Sequence, residues 1–117
     1  VRRTRFGEGA GLVETVVNLG TSPFSYLSRG HGRVVLPRFG FAIEAPGFAA
    51  FHASNWDGLE YAQPPLFTLR ALDGLPLARS ARVRVFHAFG DERIRVADVV
   101  HQVPREKVLK PASSAAH

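Results

Sequence analysis

One stretch in the second half of the chain constrains the fold most, because its apolar and polar residues alternate with a period of two. Such alternation is typical of half-buried β-strands, whose successive side chains point to opposite faces. Three alternating runs, Leu66–Leu72, Arg82–Phe86 and Arg93–Val96, are separated by the turn pairs Asp73-Gly74 and Gly90-Asp91. Gly tolerates positive φ and Asp hydrogen-bonds its own backbone in such turns. The pattern therefore predicts three strands of a β-meander.

The first of these turns carries a family resemblance. The run ALDGLPLARS at residues 71–80 is followed by an alternating strand and then a Gly. This segment resembles part of the C-terminal accessory β-sandwich of TIM-barrel glycoside hydrolases, where an LDGxPLxxS pattern precedes a strand that packs towards the barrel. In that family the catalytic carboxylates lie on the barrel. The resemblance therefore implies a non-catalytic accessory domain, and no residue of the segment inherits a catalytic role.

The rest of the chain repeats the same kind of pattern, with short β-prone runs bounded by Gly, Pro and Asn. It predicts an all-β, immunoglobulin-like β-sandwich of seven to nine short antiparallel strands. Residues 1–103 are expected to form this single domain, and residues 104–117 a frayed C-terminal tail. The predicted core draws on Val13 or Val16, and on Val17, Phe41, Ile43, Phe48, Phe67, Leu69, Val83, Val85, Ile94 and Val96.

Composition excludes several kinds of chemistry. The 117 residues include no Cys, so neither disulfides, a thiolate nucleophile nor Cys-ligated metal is expected. The chain also lacks Met and begins Val-Arg-Arg, so we expect a fragment of a larger chain. No apolar run approaches the ~20 residues that a membrane-spanning helix needs. We predict no cofactor and no membrane partner.

The net charge of +5 raises the question of nucleic-acid binding. The basic residues are spread along the chain rather than clustered, so nucleic acid is not the partner that we favour.

A Gly-rich break at residues 7–11 reads GEGAG. It lacks the GxGxxG spacing of a phosphate-binding loop, and we interpret it as a turn.

The segment from Ser54 to Tyr61 gathers the side chains most suited to a sugar. Trp and Tyr faces stack on sugar rings, while amides and carboxylates bond hydroxyls. The carbohydrate-contact candidates are Asn55, Trp56, Asp57, Glu60 and Tyr61. The alternative, which we favour, is that Trp56 plugs an end of the sandwich or a seam with another domain. Asp57 and Glu60 are close enough in sequence to form a glycosidase pair, but catalytic pairs usually come from separate rigid elements, so this pair is not expected to be catalytic.

Histidines and arginines suggest two further sites. Arg29, His31 and Arg33 flank glycines at a predicted loop tip, and are candidates for contacting an anion such as a phosphate or a uronate carboxylate. The alternative is an exposed hairpin loop. His52 and His87 both fall on predicted inward faces and could supply half of a metal site, but no carboxylate shares their spacing. We expect each to bond a backbone carbonyl, and we predict no metal.

The leading functional prediction is a non-catalytic accessory domain of a carbohydrate-active enzyme, packed on the catalytic barrel of the same chain and stabilising it. The alternatives are an independent carbohydrate-binding module, which requires an exposed, flat Trp56 loop, and an immunoglobulin-like adhesion or interaction domain. A broad exposed apolar face carrying several Phe side chains favours the first prediction.

Overall fold

A computed structural model describes residues 1–7, 11–28, 31–96 and 99–110, apart from the Ala78 side chain. Thirteen strands and one 3-10 turn, at Leu77–Arg79, are found among these residues. The strands are β1 (Arg2–Phe6), β2 (Val13–Val17), β3 (Phe24–Ser28), β4 (Gly32–Leu36), β5 (Phe41–Ala45), β6 (Phe48–His52), β7 (Asn55–Trp56), β8 (Leu59–Glu60), β9 (Leu66–Ala71), β10 (Val83–Phe89), β11 (Arg93–Val96), β12 (Val99–Gln102) and β13 (Glu106–Leu109).

The strands form one large antiparallel sheet and two small ones. The large sheet has seven strands in the order β1-β2-β5-β6-β9-β10-β13, and the small sheets are β3-β4-β7-β8 and β11-β12. The large sheet is thus a meander, interrupted by the hairpins β3-β4, β7-β8 and β11-β12. Because neighbouring strands of the meander are antiparallel, all three hairpins leave it from the same end.

The hydrophobic core lies between one face of the seven-stranded sheet and the small sheets. Cross-strand register aligns Val16, Ala42, Phe51 and Phe67 in one row of this inner face, and all four are buried. The small sheets cover this face with inward-pointing side chains, which are Tyr26, Val34, Leu36, Trp56, Leu59, Ile94 and Val96. The hairpins therefore supply the second layer of a sandwich-like fold.

The turn that carries the family resemblance is held together by one carboxylate. Asp73 accepts hydrogen bonds from the Ser80 hydroxyl (2.8 Å), the Ala81 N–H (2.9 Å) and the Leu75 N–H (3.3 Å). The bonds from Ala81 and Ser80 lower the pKa of Asp73. The spacing between Asp and Ser in the LDGxPLxxS pattern therefore has a local physical basis, because the two side chains close the loop between β9 and β10.

The all-β prediction is confirmed, and the sheets are antiparallel. The strands among the described residues number thirteen rather than seven to nine, because the hairpins β7-β8 and β11-β12 contribute pairs of only two and four residues each. The strand order is that of a meander with inserted hairpins, and it does not establish an immunoglobulin order.

The predicted meander is correct for β9 and β10 and wrong for the third strand. β10 pairs with β9 and β13, whereas β11 pairs with β12 in a separate sheet. Gly90 lies where the chain passes from β10 in the seven-stranded sheet to β11 in the small β11-β12 sheet, and its conformation accounts for this crossing. Its φ is +83°, and a Cβ there would lie 2.6 Å from the Pro64 carbonyl oxygen. A side chain at residue 90 would therefore prevent the loop after β10 from lying close to the loop before β9.

The sheet extends beyond the predicted domain boundary. Residues 104–117 were expected to fray, but β13 pairs with β10 and its Leu109 side chain is buried. The Pro104 carbonyl also accepts a hydrogen bond from the imidazole of His87. The prediction failed because a four-residue strand that begins with two charged residues and ends with two apolar ones carries little periodic signal. Residues 111–117 lie outside the described part of the chain.

Candidate functional site

The β7-β8 hairpin presents the predicted carbohydrate contacts in three different directions. Asp57 and Gly58 form its two-residue turn with φ of 52° and 82°, the positive values that a type I′ turn needs. Trp56 pairs with Leu59 and points into the core, whereas Asn55 pairs with Glu60 on the far side of the four-stranded sheet. The five candidates therefore do not form one surface.

Trp56 is completely buried between two other rings. The Phe51 ring stacks on it at a centroid distance of 4.1 Å and the His31 ring at 4.4 Å, with interplanar angles of 10° and 25°. Tyr61 is also buried, and its ring lies 6.4 Å from that of Phe51. Trp56 thus leaves no face free for a sugar ring, and its packing is that of a plug at the hairpin end of the core.

His31 lies between two carboxylates. Its Nε2 is 3.8 Å from Glu44 Oε1, and its Nδ1 is 3.7 Å from Asp57 Oδ2. The Ser28 hydroxyl donates a hydrogen bond to Glu44 and accepts one from the His31 backbone N–H. The two carboxylates lie near different nitrogens of the imidazole and do not converge on a shared ion.

The predicted anion contacts do not come together. Arg29 lies outside the described residues. Arg33 is opposite Leu27 on the far side of the four-stranded sheet, where its Nε donates to the Ser25 hydroxyl (2.9 Å). His31 points the other way, into an acidic environment. Carboxylates beside the imidazole repel an anion, so this arrangement disfavours the predicted anion site.

Sequence reasoning missed a buried carboxylate at the edge of the inner face. Glu14 is opposite Glu44 on β2 and β5 and forms ion pairs with Arg5 (2.6 Å) and Arg3 (3.5 Å) on β1. Burial raises the pKa of Glu14, but the two guanidinium groups outweigh it and the net shift is downward. Burial, followed by the Glu44 charge, raises the pKa of the nearby Tyr26 hydroxyl. The carboxylate serves to tie the edge strand β1 to the sheet.

The two histidines considered for a metal bond backbone carbonyls instead. His87 contacts the carbonyl oxygens of Pro104 (3.0 Å) and Gly90 (3.1 Å), and His52 contacts that of Pro65 (3.2 Å). The carbonyl contacts expected from the sequence are therefore confirmed. In the described part of the chain, no group of three or more His, Asp or Glu side chains is arranged to hold a metal ion.

An open polar depression lies where the loop before β9 meets β11 and β12. It has a volume of about 490 Å³ and is lined by Ala62, Gln63, Gly90, Asp91, Glu92, Arg93 and Gln102. Most of its charges are already engaged. Arg93 forms a two-pronged contact with Asp91, at 3.2 and 3.1 Å, and Gln102 donates to Glu92. The depression therefore offers few free groups to a ligand.

The other face of the seven-stranded sheet, which we call the outer face, carries many apolar side chains. Register places on it Phe6, Val13, Val17, Phe41, Ile43, Ala45, Phe48, Ala50, Leu66, Phe86, Phe89 and Val108. Among these, only Ala50 is buried, and Phe6, Phe86 and Phe89 are 60%, 45% and 51% exposed. None of the small sheets covers this face, because their inward side chains all belong to the core on the other side.

The outer face corrects part of the predicted core. Val17, Phe41, Ile43 and Phe48 were expected to be buried, but each is partly exposed on the outer face. Their neighbours in sequence, such as Phe51, point into the core instead. Because both faces of β5 and β6 are largely apolar, periodicity identified the strands without telling which face is covered.

The outer face also carries arginines. Arg70 on β9 and Arg84 on β10 are directly opposite each other, and both are exposed. Arg93 and Arg95, by contrast, belong to β11 in another sheet. Among the described residues, Glu106 is the one acidic strand residue on the outer face, and it pairs with Phe86.

Comparisons with known proteins add no constraint on these surfaces. Within the described residues, no helix has the length and apolar character needed to cross a membrane. No family model, no curated protein and no solved structure matches this chain.

Proposed function

We propose that this chain is a non-catalytic accessory β-domain of a glycoside hydrolase, and that it packs on the catalytic barrel of the same polypeptide through the outer face. The supporting observation is the outer face itself, a sheet surface with twelve apolar side chains of which five are Phe. Contiguous apolar patches of this kind mark interaction sites on soluble proteins.

The size of the outer face fits a contact between domains. Six inter-strand spacings of about 4.8 Å and a strand length of five residues at about 3.3 Å each give an area of roughly 500 Å². Counted on both partners, this is roughly 1,000 Å², within the range of about 600–1,500 Å² typical of inter-domain interfaces. The face is therefore large enough to hold a barrel domain in one orientation.

The other predicted functions receive less support. A carbohydrate-binding module needs an exposed aromatic platform, and Trp56 and Tyr61 are both buried. An adhesion or interaction domain remains the second candidate, because the same outer face serves a separate partner equally well. The two differ in whether the partner belongs to the same polypeptide, and the barrel is favoured by the resemblance around Asp73 and Ser80.

Hydroxyl-radical footprinting tests the proposal. The 117-residue chain and the longer polypeptide that carries it are oxidised in parallel, and labelling is read by mass spectrometry. We expect Phe48 and Phe86 to be labelled several-fold less in the longer polypeptide. Leu27, which is 78% exposed on the far side of the four-stranded sheet, is the internal control and should not change. Equal labelling of both Phe residues in the two samples would contradict the proposal.

The enzymatic part of the proposal needs its own measurement. The longer polypeptide should hydrolyse aryl glycosides, and substituting Asp57→Asn or Glu60→Gln should leave kcat unchanged, because these side chains diverge in the β7-β8 hairpin. The Phe48→Asp substitution should instead lower the temperature at which activity is lost. A large fall in kcat on changing Asp57 or Glu60 would overturn the non-catalytic assignment.

A further inference from the structure

The arginine pair on the outer face is arranged unfavourably for an isolated domain. Arg70 and Arg84 are cross-strand partners, so their Cβ atoms lie about 4.5–5.5 Å apart, and like charges in this position destabilise a sheet. Their other neighbours in the same row, Phe48 and Val108, are apolar. No ion pair joins either arginine to a carboxylate of the described residues.

When a partner covers the outer face, the Arg70–Arg84 pair is removed from water, and its repulsion becomes more destabilising unless the partner supplies opposite charges. A charge removed from water without a counter-ion costs several kcal/mol, and Arg70 and Arg84 bring two within one contact. Guanidinium groups match carboxylates with paired, parallel hydrogen bonds. The surface that covers this row must therefore offer acidic side chains opposite the two arginines.

Two other occupants fit the outer face less well. A second copy of the chain would bring the same net positive charge of +5 and the same arginines to the contact. A nucleic acid would require basic groups along its whole path, but the strand positions of the face hold only Arg2 at one edge and the Arg70–Arg84 pair further across. Twelve apolar side chains between and around these charges match a protein surface instead.

We propose that Arg70 and Arg84 form the anchor for a pair of carboxylates on the domain that covers the outer face. This inference rests on the proposed function, and it adds the chemistry of the partner. The apolar rows supply most of the buried area, whereas the arginine pair fixes the orientation of the partner. The like-charge contact is relieved only when the two domains are packed together.

Arginine-selective labelling with phenylglyoxal tests the anchor in the longer polypeptide. Reaction at each Arg is measured by mass spectrometry, with Arg33 on the far side of the four-stranded sheet as the control. We expect Arg70 and Arg84 to react at least fivefold more slowly than in the 117-residue chain, and Arg33 to react equally in both. Footprinting of Phe48 in the same samples reports separately on whether the outer face is covered.

The two readouts distinguish the possible failures. Protected Phe48 with reactive Arg70 and Arg84 would leave the proposed function standing and overturn the anchor. Reactive Phe48 and reactive arginines together would overturn both. Protection of the arginines in the 117-residue chain on adding single-stranded DNA would assign the pair to nucleic acid. Protection that appears in that chain as its own concentration rises would assign it to a second copy.

Charge reversal gives a test that a merely structural role cannot imitate. In the 117-residue chain, Arg84→Glu removes the like-charge contact and creates an ion pair with Arg70, so the folding equilibrium constant should rise roughly two- to fivefold. In the longer polypeptide the same substitution should increase Phe48 labelling at least threefold. Arg33→Glu is the matched control and should change neither quantity. A variant that is stabilised while Phe48 stays protected would overturn the anchor.

Discussion

Replacing Trp56 by Ala tests whether the β7-β8 hairpin is a core element or a ligand loop. The indole is completely buried and its two faces are covered by Phe51 and His31. Truncating a buried Trp to Ala costs about 3–5 kcal/mol. A domain of this kind has a total stability of about 5–15 kcal/mol, so this one substitution should remove a large part of it.

Urea unfolding followed by far-UV circular dichroism measures the loss. With a slope of about 2 kcal/mol per molar urea, a loss of about 4 kcal/mol lowers the midpoint by about 2 M. Leu27→Ala is the matched control, because Leu27 lies in the same sheet with its side chain 78% exposed. It should change the free energy of unfolding by less than about 0.5 kcal/mol.

The fluorescence of Trp56, the only Trp in the chain, supplies a second readout on the wild-type protein. A buried indole should resist quenching by acrylamide, and its emission should not respond to added oligosaccharides. The reasoning would be refuted if Trp56→Ala unfolded within about 1 kcal/mol of the wild-type free energy, with an unchanged slope. A change in Trp56 emission on adding oligosaccharides would indicate instead that the β7-β8 hairpin binds a ligand.

Three further substitutions test other parts of the fold by the same urea assay. Gly90→Ala should cost about 1–3 kcal/mol more than Gly74→Ala. Both glycines have positive φ, but only at Gly90 would the new Cβ meet a backbone atom, the Pro64 carbonyl oxygen at 2.6 Å. Equal losses of stability would contradict this reasoning. Glu14→Gln should lower stability at pH 7 and do so less and less as the pH is lowered, because the pKa of Glu14 is lowered from its ordinary value of 4.5 in the folded state, and the resulting stability is lost as pH falls through the folded pKa; a pH-independent loss would contradict it. Leu109→Ala should cost about 2–5 kcal/mol and Val108→Ala little, because only Leu109 is buried; similar effects would mean that β13 does not pack on the core.

The sequence predicted strands better than it predicted faces. Strands β9 and β10 were read correctly from their alternation, because Phe67 and Leu69 are apolar while Thr68 and Arg70 are polar. In β5 and β6 the signal is ambiguous, since Phe41, Ile43 and Phe48 lie on one face and apolar residues, among them Phe51, also lie on the other. Hydrophobicity measures whether a residue prefers to leave water, and does not say whether this chain or a partner covers it.

The sequence left the candidate sites undecided for a related reason. Trp56 and Tyr61 were candidates because aromatic residues serve both as sugar platforms and as core, and only tertiary packing separates these roles. The arrangement of His31 between Glu44 and Asp57 joins three elements that are distant in sequence. The Arg70–Arg84 pair needed the strand register, which periodicity alone does not supply.

The common exit of the three hairpins has a consequence for how the chain folds. At the opposite end of the meander, β5 and β6 are joined by the turn Pro46-Gly47 alone, so this pair closes a small loop. Three other pairings each close a loop that contains a whole hairpin: β2 with β5, β6 with β9, and β10 with β13. The entropy cost of closing a loop rises only slowly with its length, so extra residues in these long loops add little to that cost. If the local hairpins nucleate first, lengthening an inserted hairpin should slow folding much less than lengthening a connection at the opposite end. The end with the hairpins is therefore where the chain can change length at the least kinetic cost.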